Sequence, residues 1–534
     1  MFNTDLTRTI NRARGQQLGD VLRRSAKRVP NKTALIFRGQ TDTFVELDTA
    51  VNRAANGLAK RGIAKGDKVA ILSHNNRAFV VLRFALARLG AVITPINFML
   101  NAEDLAYMLD HSGAVMILCE DALCAVADDA LAKLSSDDVQ RIVIPHAEVA
   151  TGSHWEPVDR MLDHSDDSEP WVEMNPNDPV QLIYTSGTES RSKGALQTAD
   201  QLISQYVTCV VDGEMTADAI ELHCLPLFHC AQLDCFLSPD IYLGATSIVH
   251  DKPDPAEMLS AVEAHKVTKL FCPPTIWIAL LSHPDFDKHD LNSLKSGYYG
   301  ASIMPTAVIE KLAERLPQMK LYNFYGQTEM APVATILRPE DQLTKLGSAG
   351  RPGLNVETLV VDDDDNPLPV GEVGEIVHRS PHLILGYYNN LEKTAEAFRN
   401  GWFHSGDLGR FDEDGYLYVV DRKKDMIKTG GENVASREVE EIIIRHPAVA
   451  EVAVLGLPHP IWIEAVAAFA IPKSGSTLTP DELKAFCGER ISGLKSPKYF
   501  KVVEALPKNA SGKILKRDLR DTYSDVFAEG EWGL

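Results

Sequence analysis

Cysteine is scarce in this chain: eight among 534 residues, at 119, 124, 209, 224, 230, 235, 272 and 487, none in a C-x-x-C pair. That sparseness argues against a disulfide-stapled scaffold, and reduced thiols in a cytoplasmic protein are the expectation. Positive charge is also in deficit. Lys and Arg number 54 against 74 Asp and Glu, a net charge of −20, which argues against a sequence-independent grip on nucleic acid. No apolar run reaches the roughly 20 residues of a membrane-spanning helix. The opening MFNTDLTRTINRARGQQLGD has no apolar core or small-residue cleavage site, so no secretory signal is expected, and Asp5 argues against a transit peptide. Internal repeats are lacking too.

What is present is an ordinary globular composition, 45% hydrophobic and 24% charged, long enough for about three or four lobes. Val69–Leu72 reads as a strand, Ala78–Leu89 as a helix stopped by Gly90, Ala91–Ile93 as a strand, Leu105–Leu109 as a helix stopped by Gly113, and Val115–Leu118 as a strand. This rhythm predicts βαβ units and parallel sheets, resuming at Lys269–Cys272 and Lys320–Phe324. Between about 355 and 420, short strands such as Glu375–Val377 and Tyr416–Val420 sit among Gly, Pro and Asp turns, which predicts a small, mostly antiparallel or barrel-like lobe. The last hundred residues read as a separate α+β unit. Ser436 is placed to cap a helix with Val439, Ile442 and Ile443 on one face, and Val452–Leu455 is a buried strand. The charged stretch Asp421–Asp425 marks the boundary, as a hinge or a solvated turn. The expected division is 1–421, a large multi-lobed domain, and 422–534, a smaller mobile domain.

Five segments carry candidate chemistry. Tyr184–Gly194 holds small hydroxyl residues, two glycines and Lys193 behind an apolar run, a donor set that suits a polyphosphate. Walker A spacing is absent, and a polar surface loop has the same composition. Tyr322–Glu329 sets a hydroxyl beside a carboxylate after Gly326, enough for phosphate and Mg²⁺, which prefers one or two carboxylates plus phosphate oxygens. Gly401–Gly409 places Asp407 between glycines, suited to vicinal sugar hydroxyls or to an Asx turn. Lys428–Asn433 contains adjacent Gly430 and Gly431, permitting close backbone approach or positive φ. Pro507–Leu515 carries Lys513 after Ser-Gly.

Together, in this order, the five segments resemble the AMP-forming adenylating superfamily of acyl-CoA synthetases, standalone adenylation domains and beetle luciferases. The resemblance runs from about residue 15 to 525 and is strongest to bacterial medium- or long-chain fatty acyl-CoA synthetases. It implies two steps: ATP converts a carboxylate to an acyl adenylate with loss of pyrophosphate, and the CoA thiol then displaces AMP. It implies Thr185, Ser186, Gly187, Thr188 and Lys193 on the β/γ-phosphates, Thr328 at the α-phosphate and Glu329 on Mg²⁺. Gly300, Ala301, Ser302 and Tyr322–Tyr325 (Asn323, Phe324 and Tyr325 with Gly326 after them) wall the adenine; Asp407 and Arg422 hold the ribose. It implies further that Lys513 reaches the α-phosphate and carboxylate during adenylation, and that rotation about Lys424 then brings Lys428, Gly430 and Gly431 to the pantetheine tunnel. Residues 493–521 carry eight Lys/Arg against three Asp/Glu, a local positive face for an anionic ligand or a solvated surface.

The chain departs from the family pattern at Glu189-Ser190, where Thr-Gly is common, and at Ser192, where Pro is common. Glu189 is expected to point outward. Leu225–His229 matches the segment beside the acyl site, with His229 gating or lining the channel. Tyr298, Tyr299, Met330, Ala331 and Pro332 are candidates for an apolar pocket or for plain core. No acid obviously meets an amino group, with Asp234 the residue to watch, and this disfavours amino-acid activation. The cluster His223, Cys224, His229, Cys230, Cys235 lacks zinc spacing. The expected activity is an acid:CoA ligase for a hydrophobic acid, with ATP, Mg²⁺ and coenzyme A. Its rivals are a ligase for an aromatic, sterol-derived or natural-product acid, an acyl-AMP ligase loading a carrier protein, and a non-catalytic nucleotide-binding module. Gly371–Tyr388 shows no insertion of the acyl-AMP ligase kind. A homodimer is an assembly this reading allows.

Overall fold

The computed structural model describes residues 4–135, 138–185, 192–491, 493–508 and 514–527. They form two compact units, one of residues 4–185, 192–358 and 378–403, the other of 359–377 and 404–527. No helix among the described residues is long and apolar enough to cross a membrane. All eight cysteines are buried free thiols.

The first unit is built on two twisted sheets. One has nine strands in the order Arg351–Pro352, Val333–Leu337, Lys320–Gly326, Ser296–Gly300, Lys269–Phe271, Ile220–His223, Thr246–Val249, Thr33–Phe37 and Gln40–Thr43. Its six inner strands, from Lys320–Gly326 to Thr33–Phe37, run parallel, with antiparallel strands at both edges. The other has eight strands in the order Gly386–Tyr387, Lys193–Thr198, Pro179–Thr185, Val92–Ile96, Lys68–Leu72, Ala114–Glu120, Gln140–Ile144 and Glu156–Pro157. It is parallel except at its Lys193–Thr198 end.

The predicted βαβ rhythm is therefore present, with longer elements. The helix Arg77–Leu89 starts where the Asn76 side chain accepts the Phe79 N–H, and Gly90 ends it. Asn101 caps the helix Ala102–Ser112 in the same way, and Gly113 ends it. Every residue from Phe79 to Leu89 is buried. This helix is enclosed on all sides, and it shares the largest core cluster with the helices Leu18–Arg28 and Phe44–Lys60 and strands of both sheets.

After residue 355 the architecture changes as expected. A five-stranded sheet runs Glu357–Val361, Gly374–Arg379, Trp402–Phe411, Phe398–Arg399, with Leu417–Arg422 also paired to Trp402–Phe411. Both pairings made by Phe398–Arg399 and Leu417–Arg422 are antiparallel.

A second five-stranded sheet runs Glu432–Val434, Ile427–Thr429, Ile463–Pro472, Val449–His459, with Tyr499–Val502 beside Ile463–Pro472. Alternate residues of its long hairpin feed two cores. Val452, Val454, Val466 and Ala468 enter one, while Ala453, Leu455, Ala467 and Phe469 enter the other. That double burial is why Val452–Leu455 is apolar without alternation. Gly430 and Gly431 form the two-residue turn between Ile427–Thr429 and Glu432–Val434, with φ +58 and +86, the left-handed pair of a type I′ hairpin.

One expectation is corrected. Ser436 is the first residue of the helix Ser436–Ile443 and not its cap. Its N–H and its hydroxyl donate to the Asp421 carboxylate at 2.6 and 2.7 Å, so an acid from a preceding strand serves the helix N-terminus. Asp421 is accordingly buried, whereas Lys423 and Lys424 of the same charged stretch are exposed.

Candidate active site

Strand pairing in the first unit brings several predicted residues to one place. Thr185 and Lys193 end adjacent antiparallel strands and face each other in register. The Lys193 ammonium lies 4.3 Å from the ring centre of Tyr387, which sits in the edge strand paired to Lys193–Thr198. The Tyr387 hydroxyl donates to Glu329 Oε1 at 2.8 Å. Glu329 is buried, in the 3₁₀ turn Thr328–Met330. That turn is held at its backbone by Gln197 Nε2 donating to the Thr328 carbonyl at 3.0 Å and the Ile384 N–H donating to the Glu329 carbonyl at 3.0 Å. The Thr328 hydroxyl lies 3.3 Å from Cys230 Sγ, next to His229. Burial pushes the Cys230 thiol up to about 12, so it is a neutral contact and no nucleophile. Ser186, Gly187, Thr188 and Glu189-Ser190 lie outside the described residues, as does Lys513.

The predicted adenine residues lie at the carboxyl ends of two neighbouring parallel strands. Gly300 ends one strand opposite Phe324 of the next, and ligands of open α/β sheets bind outside such ends. Ala301 and Ser302 are exposed and Tyr325 is half-buried, but Asn323 and Phe324 point inward. Asn323 Nδ2 donates to the Ser348 carbonyl at 3.2 Å, and Phe324 stacks on Phe236. Tyr322 belongs to the core: it is fully buried, stacks on Tyr298 at 5.0 Å and donates to Glu214. Tyr299, Met330 and Ala331 are likewise core.

In the second unit, Asp407 and Arg422 are direct cross-strand partners, with Arg422 Nε 3.1 Å from Asp407 Oδ1. Asp407 lies within the strand Trp402–Phe411, so it is not an Asx-turn residue. Lys428 is exposed beside the Gly430–Gly431 turn.

The segment read as acyl-side, Leu225–His229, rests on a buried polar frame that patterning did not reveal. Asn75 clamps the segment before His229, donating to the Leu225 and His250 carbonyls at 2.8 and 3.0 Å and accepting the Leu227 N–H at 2.8 Å. Ala231–Leu237 forms a wide π-helical turn, a geometry that recurs at functional sites. His229 Nδ1 accepts the Ala231 N–H at 3.2 Å, and Phe228 meets Phe98 edge to face at 5.2 Å. Asp234 is fully buried and committed. It pairs with Arg83 at 3.1 Å and accepts from Gln181 Nε2 at 2.7 Å, and the same Gln181 group donates to Gln197. Burial pushes the Asp234 carboxyl upward, against the pull of Arg83. Asp234→Ala strands the enclosed Arg83 charge, so a loss of about 3–5 kcal/mol is expected, read as an earlier urea transition.

The histidine–cysteine cluster does not assemble. His223 sits instead with Glu221 and Asp240, the one group of metal-type side chains among the described residues. The Lys269 ammonium already lies there, 2.7 Å from Glu221 and bonded to Asp240, so the cation of this group is a lysine.

A parallel α/β frame with phosphate-suited residues at its strand ends, followed by a smaller α+β unit, defines a nucleotide-using enzyme of the adenylate-forming class. The chain belongs to the AMP-binding enzyme family: residues 22–388 match that family and 438–513 match the AMP-binding enzyme C-terminal domain. Curated relatives carry the names of acyl-CoA synthetases and CoA ligases. A feruloyl-CoA synthase of Amycolatopsis is 37% identical over 96% of this chain and 100% of the relative. The long-chain-fatty-acid–CoA ligase FadD13 of Mycobacterium tuberculosis is 33% identical over 95% and 99%. The o-succinylbenzoate CoA synthetase of Bacillus subtilis, solved with its acyl-adenylate, superposes with a TM-score of 0.84 at 30% identity over 94% of this chain and 98% of that one.

Proposed function

We propose that this chain is an ATP-dependent acid:CoA ligase for a hydrophobic, ring-bearing carboxylic acid. The observation that carries the reading is that Tyr387 joins Lys193, the register partner of Thr185, to Glu329, which shares a turn with Thr328. The ring-bearing acids named for the feruloyl and o-succinylbenzoate enzymes support the substrate class. So does the segment beside His229, whose only acid, Asp234, is consumed by Arg83 and Gln181.

A carboxylate is a poor electrophile because attack must expel an oxide. In the first step the substrate carboxylate attacks the α-phosphorus of ATP and pyrophosphate leaves. Thr185 and Lys193, with Ser186, Gly187 and Thr188, hold the departing phosphates, and Thr328 meets the α-phosphate. Gly300, Ala301, Ser302, Tyr325 and Gly326 frame the adenine, and Asp407 and Arg422 the ribose. Lys513 neutralises charge that grows on the α-phosphate, where a fixed cation acts most strongly. In the second step the CoA thiol attacks the acyl carbon and AMP leaves, with Lys428, Gly430 and Gly431 serving the pantetheine. His229 lines the acyl channel. The part from residue 422 onward thus serves the two half-reactions in turn.

Glu329 fits Mg²⁺. It is a lone hard carboxylate beside a threonine hydroxyl, the donor set of an ion that takes its other ligands from phosphate and water. When bound, the ion neutralises phosphate charge.

The test is acid-dependent ATP–pyrophosphate exchange, then CoA-dependent AMP release, over a panel from acetate through long-chain to aryl acids. Aryl acids are expected to give the highest kcat/KM. A maximum at long-chain acids refutes the ring-bearing class, and exchange without CoA-dependent turnover marks a carrier-loading enzyme instead. No exchange with any acid refutes the reading.

A further inference from the structure

Tyr387 touches two residues of the nucleotide site by two different forces. Its hydroxyl donates to Glu329 Oε1 at 2.8 Å, and its ring face lies 4.3 Å from the Lys193 ammonium. The contacts are built rather than incidental. Tyr387 pairs with Ala195, two residues beyond Lys193 on the neighbouring strand, and its N–H donates to the Thr394 hydroxyl at 2.9 Å. The Glu329 backbone is pinned by Ile384, three residues before Tyr387. One short segment therefore fixes both the main chain and one side-chain oxygen of Glu329.

We propose that Tyr387 is a positioning residue for the nucleotide–metal site: its hydroxyl occupies Glu329 Oε1 so that Oε2 is presented to a divalent ion, and its ring holds Lys193 ready for the triphosphate. The proposal rests on the assignment of Glu329 and Lys193 made above. Among the described residues none bonds Glu329 Oε2, so the hydroxyl selects monodentate ligation. A carboxylate free to rotate spreads its two oxygens over several arrangements, and an outer partner that removes this freedom raises metal affinity. The ring serves the cation separately, because a lysine over a tyrosine face is attracted by the ring quadrupole and is released to a stronger anion.

The two forces separate by substitution. Tyr387→Phe removes the hydroxyl and keeps the ring; Tyr387→Leu removes both. Mn²⁺, as a paramagnetic stand-in for Mg²⁺, is titrated by electron paramagnetic resonance into the full-length protein saturated with α,β-methylene-ATP, without acid or CoA. Binding of the analogue in EDTA is followed by calorimetry, and its stoichiometry counts folded sites. Tyr387→Phe is expected to weaken Mn²⁺ by about 10–100-fold and to leave metal-free analogue binding unchanged. Tyr387→Leu is expected to weaken both. Glu329→Gln is the reference. If Glu329→Gln weakens Mn²⁺ and Tyr387→Phe does not, the positioning role is overturned while the site assignment stands. If Glu329→Gln leaves Mn²⁺ binding unchanged, the assignment itself fails, and the role of Tyr387 with it.

Discussion

Gly326→Ala is expected to lower acid-dependent ATP–pyrophosphate exchange by about 100-fold or more, although it adds one methyl group. Gly326 ends the strand Lys320–Gly326 and pairs with Val333 across a hairpin whose tip is the Thr328–Met330 turn. A Cβ there falls 1.9 Å from the Pro332 carbonyl oxygen and 2.9 Å from the Ala334 nitrogen. Both are backbone atoms, which cannot swing aside as a side chain does. The same Pro332 carbonyl accepts the Gln327 N–H at 2.9 Å. Relief of the clash therefore moves the turn that carries Thr328 and Glu329, and a shift of about 1 Å at such groups costs two orders of magnitude in rate. Stability is expected to fall by about 1–3 kcal/mol, as for other overpacked sites. Gly488→Ala is the control, since a Cβ at that position meets nothing within 4 Å. Parental exchange in Gly326→Ala would show that the turn tolerates displacement and so does not hold reacting groups.

The frame of this fold was legible because burial writes itself into apolar periodicity. Strands such as Lys68–Leu72 and Ala114–Glu120 are apolar in their interiors because both faces enter hydrophobic clusters, and Gly90 and Gly113 stop the helices between them through local backbone chemistry. Partnership between distant residues was legible only where motif and ladder coincide. Asp407 and Arg422 are both conspicuous, yet their facing depends on a register shift at Leu408/Gly409 that no pattern announces. Tyr387 lies 58 residues from Glu329 and is one tyrosine among the 14 of the sequence. It acquires meaning only when Gly386–Tyr387 pairs with the strand of Lys193. The polar chain from Arg83 through Asp234, Gln181 and Gln197 to the Thr328 carbonyl was equally hidden. Buried polar groups interrupt an apolar pattern without saying whom they bind. Ser436 misled for a related reason: a hydroxyl at a helix start predicts a cap, but Asp421 supplies the acceptor from a preceding strand.

Lys513→Ala is expected to lower adenylation by roughly 10²–10³-fold, the cost of removing one preorganised group from a developing charge. As the carboxylate enters the α-phosphorus, negative charge accumulates on the phosphoryl oxygens and on the departing pyrophosphate. A cation fixed there stabilises the transition state more than bound ATP, so the loss falls on kcat more than on KM. Thioester formation makes a different demand. Its electrophile is already activated, its leaving group is AMP, and its nucleophile needs an open path. Acyl adenylate supplied directly is therefore expected to be converted by Lys513→Ala at nearly the parental rate. Gly431→Leu supplies the opposite perturbation. Gly431 is the second residue of a two-residue turn at φ +86, where an L-residue is strained by about 1–2 kcal/mol, and its Cβ direction is open. The added isobutyl group stands at the hairpin tip beside Lys428, in the path assigned to the pantetheine, and is expected to slow CoA-dependent AMP release far more than exchange. A single fixed arrangement of groups predicts that each substitution damages both half-reactions together. Use of the C-terminal residues for two successive tasks predicts a crossed pattern, each variant failing where the other succeeds. Separate assays of the half-reactions decide between them, and equal losses in both assays for either variant would overturn the division of labour.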